Sequence, residues 1–278
     1  MRITLRLLGF FFLISSMAGH ACLAAGNIAA KGSTTVLPVV QAEAEAFMKK
    51  YPAIGVSLSG GGSGDGIKAL IDKTTDIANS SRELRPEEIS LAKTKGIQPV
   101  AHAIAVDAIV PVVHPQNKIR NLTIDQLSQI YQGKIRNWKD VGGDNLPIIV
   151  VSRDSSSGTF ASWGELVLHK ARVTPRAQMQ ASSGAIVQLV AKNKHAIGYI
   201  GMGYLNSAVG AVSVDGVEAT VATALSGKYP VSRHLYMITR GAPRGNTASF
   251  IQFILSPEGQ KIVADVGFVP VKKAAPKK

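Results

Sequence analysis

Two hydropathy rhythms alternate along this chain, and hydroxyl- or glycine-rich turns mark several of the changes between them. A short β-like run over residues 27–31 leads to Gly32-Ser33-Thr34-Thr35. Val36, Val40, Ala44, Phe47 and Met48 then share one helical face, with Pro38 in the first turn and Lys49-Lys50-Tyr51-Pro52 as the stop. Ile54 to Leu58 alternates as a strand and passes through Ser59-Gly60-Gly61-Gly62-Ser63-Gly64-Asp65-Gly66 into a helix carrying Ile67, Leu70 and Ile71. Asp76 to Arg82 predicts a buried strand ending in Ser80, Ser81 and Arg82, and Glu87 to Lys95 predicts a surface helix. Ala101 to Val113 is a near-continuous apolar strand with Asp107 inside it, long enough to cross between two lobes.

The rhythm continues beyond that strand. Thr123 and Gln126 form a capping box, Leu122 and Leu127 a hydrophobic staple, and Gly133 follows as the stop of a structural helix. Ile148 to Val151 predicts a strand that turns through Ser152-Arg153-Asp154-Ser155-Ser156-Ser157-Gly158-Thr159 into a helix carrying Phe160, Trp163, Val167 and Leu168. Ser182-Ser183-Gly184 opens a short helix, His195 to Ile200 and Leu235 to Ile238 read as strands, and Phe250 to Leu255 and Pro257 to Val266 close the pattern as helices before Gly267. Strands alternate with helices throughout, which predicts the α/β class.

A strand that turns through serine, glycine and threonine into a helix leaves backbone N–H groups at the helix start without intrahelical partners. Those donors, the hydroxyls and the positive end of the helix dipole suit an anion. Arg153 adds a planar guanidinium matched to an oxyanion. Ordinary capping accounts for any one such turn, but the device occurs at Ser33 to Thr35, at Ser63 and at Ser157 to Thr159. Residues 64–69 also fit a loose G-x-G-x-x-A dinucleotide pattern, which is weak without supporting context.

Composition adds an address. Arg2 and Arg6 precede an apolar run from Leu7 to Ile14, and small residues lead to Leu23-Ala24-Ala25, so residues 1–25 predict a secretory signal peptide cleaved near Ala24 or Ala25. The single cysteine, Cys22, falls inside that segment, so a mature chain would have neither a disulfide nor a thiolate metal site. The formal charge of +13 is compatible with small anions, anionic membranes or nucleic acid, part of it residing in Lys272, Lys273, Lys277 and Lys278. An aromatic content of 6%, export and the lack of a recognisable binding motif argue against nucleic acid. The histidines at 20, 102, 114, 169, 195 and 234 show no metal spacing, and no Walker A sequence or G-x-S-x-G elbow is present. A Ser-His-Asp triad is not decided by sequence order, but the hydroxyl clusters lack an evident base, which fits binding better than catalysis.

Together these segments resemble the substrate-binding proteins of bacterial ABC-type phosphate importers, in their shorter form. The resemblance runs through Gly32 to Thr35, Gly61 to Ile67, Asp76 to Arg82, Gly133-Lys134-Ile135-Arg136-Asn137-Trp138, Arg153 with Ser157 to Thr159, Ala196-Ile197-Gly198-Tyr199 and Ser256-Pro257-Glu258-Gly259-Gln260. It implies a type II periplasmic-binding-protein fold with mixed sheets and a ligand cleft between two lobes. Residues 26–107 plus 233–278 would form lobe 1 and residues 108–232 lobe 2. It further implies a non-enzymatic periplasmic receptor, working as a monomer without a cofactor or bound metal. Its partners would be inorganic phosphate and the membrane permease of an ABC importer, not nucleic acid. Receptors for sulfate, arsenate or phosphonate and an exported phosphate-ester hydrolase are the alternatives. The candidate phosphate-binding set is Ser33, Thr34, Thr35, Ser63, Gly64, Asp65, Ser81, Arg82, Arg153, Ser157, Gly158 and Thr159. Phosphate keeps a proton near neutral pH, so distinguishing it from sulfate calls for an acceptor. Longer relatives carry an aspartate where this chain has Ser81, which leaves Asp65, or else Asp154, as the expected acceptor.

Overall fold

The computed structural model describes residues 26–271; the expected signal peptide over residues 1–25 and the residues 272–278 lie outside the described residues. Along the chain it forms β1 (Ile28–Gly32), α1 (Leu37–Lys50), β2 (Val56–Ser59), α2 (Ser63–Ile71), β3 (Ile77–Ser80), α3 (Pro86–Thr94) and β4 (Val100–Val113). These are followed by β5 (Asn121–Leu122), α4 (Ile124–Tyr131), β6 (Ile149–Arg153), α5 (Gly158–Leu166), β7 (Gln178–Gln180), α6 (Ser183–Lys192), β8 (Ala196–Gly201), β9 (Gly210–Ala211) and β10 (Ser213–Val214). The remainder is α7 (Val221–Leu225), β11 (Ser232–Thr239), α8 (Gly245–Ile254), α9 (Pro257–Asp265) and β12 (Val269–Pro270).

The principal strands run in the order β2-β1-β3-β11-β4-β8-β6-β7. Parallel pairing of β1 with β2 and β3 makes one wing, and parallel pairing of β6 with β7 and β8 makes the other. β4 joins them. Its residues 100–108 run antiparallel to β11, while residues 109–113 run antiparallel to β8. The long strand read from the sequence therefore changes partners midway, just after Asp107.

One continuous apolar core runs through both wings. Phe47 of α1 lies between Phe250 and Phe253 of α8, with ring centroids 5.0 and 5.6 Å away. In the other wing Trp163 of α5 stacks on Tyr199 of β8 at 4.5 Å and meets Tyr131 of α4 edge-on at 5.1 Å. Truncating such a buried aromatic ring to alanine costs about 3–5 kcal/mol. The buried face of α1 also carries Glu43, whose carboxylate oxygens have no hydrogen-bond partner. Burial, with Glu258 adding a like charge, pushes its pKa up to about 8.

Several boundaries differ from the hydropathy reading. The strand after Pro52 begins at Val56 because Ile54 is held in a turn by its N–H bonding Tyr51 O. β6 continues through Ser152 and Arg153, where parallel pairing with β7 supplies ladder partners that the polar side chains conceal in the sequence. β11 starts at Ser232 because Arg233 stands in register opposite Asp107, and α8 starts five residues before Phe250. The Thr123 and Gln126 capping box forms as read, with both reciprocal bonds to the backbone.

Candidate functional site

Three helix starts and one loop meet where the two wings face each other. The turn after β1 brings Ser33, Thr34 and Thr35. The α2 start brings Ser63, the loop after β3 brings Ser81, and the α5 start brings Ser157 and Thr159. Of these hydroxyl residues even the most open, Thr34, is only 8% exposed. Gly32 lets the first turn come close: its φ is +139°, and a Cβ there would lie 2.2 Å from Asn79 O. A Cβ on Gly158 would lie 2.4 Å from Ser63 Oγ and 2.6 Å from Ser81 Oγ, so glycine is what admits those hydroxyls to the α5 start.

Contacts across the wings are direct. Thr35 Oγ1 lies 2.7 Å from Thr159 Oγ1 and 3.4 Å from Ser183 Oγ. The Gly64 N–H donates to Ser156 O at 2.9 Å, and the Ser183 N–H donates to Thr34 Oγ1 at 3.3 Å. Within the first wing, Ser33 Oγ donates to Ser81 Oγ at 3.0 Å and Ser63 Oγ lies 3.4 Å from the same atom. Ser157 is the N-cap of α5, accepting from the Phe160 N–H.

Arg153 lies beneath this cluster and is 1% exposed. Its Nε and Nη2 donate to the carbonyls of Gln180 and Ala181, and its Nη1 donates to Ser183 Oγ. Its backbone N–H is fixed on Tyr199 Oη, which is also hydrogen-bonded to Ser152 Oγ. Burial lowers the guanidinium pKa from its ordinary value, an effect that Asp154 opposes. It stays charged all the same, because arginine does not deprotonate in proteins.

Not every expected residue arrives. Asp65 is exposed, and its carboxylate turns back to accept from the Gly62 N–H, beside Lys31 and Lys68. Capping its own helix therefore keeps it out of the hydroxyl cluster. Asp154 Oδ1 accepts from Ser156 N and Oγ. The Arg82 guanidinium grips the Glu88 carboxylate through Nη1 and Nη2, while its buried Nε is unpartnered. Glu88 is held below its usual range by these hydrogen bonds, which overcome the opposing effect of burial.

Three residues outside the sequence-based set do take part. Ser183 comes from the α6 start, whose Ser182-Ser183-Gly184 run carries the same signal as the other turns. Arg233 donates through Nη2 to Thr159 Oγ1 at 3.0 Å and through Nε and Nη2 to Asp107 Oδ2 at 3.1 and 2.8 Å. Asp107 is fully buried, and its Oδ1 accepts from the Met202 N–H. Burial pushes this carboxyl up from its ordinary value, with Arg233 the main opposing influence. No local motif announces the pair, because its members lie on different strands.

Beside the cluster is a cavity of about 360 Å³ lined by Arg82, Ser162, Glu165, Arg233, His234 and Tyr236 among others. A larger groove of about 550 Å³ runs along α5 past Phe160, Leu168 and Met179 and contains none of the clustered hydroxyls. Volume and polar chemistry thus point to different places, and the convergence of donors marks the site.

Two wings joined by crossing strands, with helix starts converging between them, define a two-lobed binding-protein architecture. A family model described as a PBP superfamily domain matches residues 20–258. The phosphate-binding protein PstS of Bacillus subtilis is 32% identical over 250 residues, covering 89% of this chain and 82% of that protein. The PstS of Borreliella burgdorferi is 33% identical over 276 residues, covering 94% and 97%. A solved structure of a putative phosphate ABC transporter substrate-binding protein with bound phosphate, from Clostridium perfringens, superposes with a TM-score of 0.83 at 42% identity, covering 88% of this chain and all of that one. The chain belongs to the PBP superfamily, in its PstS phosphate-binding family.

Proposed function

We propose that this protein is an exported, non-enzymatic receptor that captures inorganic phosphate and delivers it to the permease of an ABC importer. The observation that carries this reading is the convergence of buried hydroxyls from four helix starts on two arginines, the buried Arg153 and Arg233, whose side chain is 6% exposed. Hydrogen bonds to a charged group contribute about 1.5–3 kcal/mol each, so a few well-placed donors reach the roughly −8 kcal/mol of a micromolar complex. The relatives named as phosphate-binding proteins, and the solved relative with bound phosphate, support the choice of ligand.

The working set is Ser33, Thr34, Thr35, Ser63, Gly64, Ser81, Arg153, Ser157, Gly158 and Thr159, to which we add Ser183 and Arg233. Arg82 stands at the rim. The change of partners along β4 supports a division into residues 26–107 plus 233–278 and residues 108–232. Among the described residues, no clustered hydroxyl bonds a histidine or a carboxylate that could serve as its base. This favours capture over ester hydrolysis. Calorimetric titration of the phosphate-stripped mature protein with phosphate tests the reading. One-to-one binding is expected, and no binding at millimolar phosphate would refute it.

A further inference from the structure

The hydrogen atoms of this site have a direction, because an N–H group can only donate. Six clustered hydroxyls each accept from such a group. Ser33 accepts from Thr35 N at 3.2 Å, Ser63 from Ser81 N at 3.0 Å and Thr34 from Ser183 N at 3.3 Å. Ser157 accepts from Phe160 N at 3.3 Å, Thr159 from Arg233 Nη2 at 3.0 Å and Ser183 from Arg153 Nη1 at 3.3 Å. A hydroxyl has one proton and two lone pairs. With one lone pair filled by a framework N–H, its proton is aimed elsewhere.

Among the described residues, Thr35 Oγ1 and Ser81 Oγ receive no such N–H donor, and each lies between two of the oriented hydroxyls. Among the described residues, no carboxylate is hydrogen-bonded to a clustered hydroxyl. Asp107 holds Arg233 and the Met202 N–H, Asp154 holds Ser156, Asp65 caps Gly62 and Glu88 holds Arg82. Asp107 balances the charge of Arg233, while Arg153 has no bonded carboxylate among the described residues. Among the described residues the cradle therefore offers protons and positive charge, with no carboxylate bonded to its hydroxyls.

We propose that this donor-polarised cradle selects tetrahedral oxyanion dianions as a class, so that sulfate binds with an affinity close to that of phosphate. The proposal rests on the receptor reading above and goes further, to the basis of its selectivity. A buried carboxylate would accept the phosphate proton and repel sulfate, which has none to give. Here the phosphate proton is met only by a second lone pair of a hydroxyl. The same hydroxyl turns its proton towards a sulfate oxygen by rotating about its C–O bond, so neither ligand leaves a polar group unpaired. Discrimination of 10⁴-fold or more arises only where the wrong ligand leaves such a group unpaired.

The test is calorimetric titration of the stripped mature protein with phosphate and with sulfate at neutral pH, repeated on Ser81→Asp and Ser81→Ala, with thermal melts to establish folding. The wild type should bind the two anions within about tenfold of each other. Ser81→Asp should keep phosphate and lose sulfate by about 100-fold or more, while Ser81→Ala should leave the ratio unchanged. Sulfate weaker than phosphate by about 100-fold in the wild type would overturn the proposal on its own, whatever the variants do, and would leave the receptor reading intact. Absence of binding by either anion would overturn both.

Discussion

Arg153 is a buried cation whose bonded partners, two carbonyls and a hydroxyl, are all neutral. An anion supplies the charge it lacks. Arg153→Met should weaken phosphate binding by about 1.5–3 kcal/mol for each bond lost, read by calorimetry, with the fold preserved because no carboxylate is stranded. Arg233 behaves differently. Arg233→Met leaves Asp107 buried and unpaired, so it should destabilise the protein by about 3–5 kcal/mol in urea denaturation. Adding Asp107→Asn should recover much of that loss. The contrast also separates what was legible in the sequence from what was not. Arg153, Ser157 and Thr159 announce themselves because one strand-to-helix turn holds them all. Arg233 meets Asp107 and Thr159 only through strand pairing and the juxtaposition of the two wings, so no local spacing reveals it.

At the level of elements, α1 has a functional end and an electrostatic burden. Its start delivers Thr34 and Thr35, while about two turns further on it buries Glu43 with no hydrogen-bond partner among the described residues. In the unfolded chain Glu43 ionises near 4.5, and in the folded protein near about 8. Between those values the folded state retains a proton that the unfolded chain has released, so stability falls as pH rises through the window. Its contribution is whole below 4.5 and lost above about 8. Glu43→Met should flatten this dependence and stabilise the protein by about 1–3 kcal/mol at the alkaline end, checked by urea melts on both sides of neutrality. Capping was the most readable feature at this scale. Thr123 and Gln126 stand three residues apart and satisfy each other's backbone, and Thr123→Ala should cost about 1 kcal/mol. The three-residue β7 left no comparable trace, because short strands take their order from neighbours rather than from their own pattern.

For the whole molecule, the α/β class followed from the alternation of rhythms, and β4 was visible as a strand of unusual length. What hydropathy could not supply was its change of partners, since the apolar run carries on from one portion into the other. Trp163 gives a handle on ligand capture. It lies on α5 and stacks on Tyr199, two residues that support the Arg153 turn. Phosphate should therefore alter the intrinsic tryptophan emission, and the change should survive Trp138→Phe but vanish in Trp163→Phe. The strand order has a further consequence, for the birth of the protein. The sheet begun by β1, β2 and β3 is flanked by β11, and β4 pairs with both β11 and β12, so this wing is completed only by residues made long after β3. A growing chain must leave the edge of β3 bare until residues 232–239 emerge, and bare strand edges recruit other chains. Closure over so long a sequence separation is slow. Such a chain gains from being kept unfolded until β11 and β12 have been made, which is also the condition in which a polypeptide can be threaded through a membrane channel.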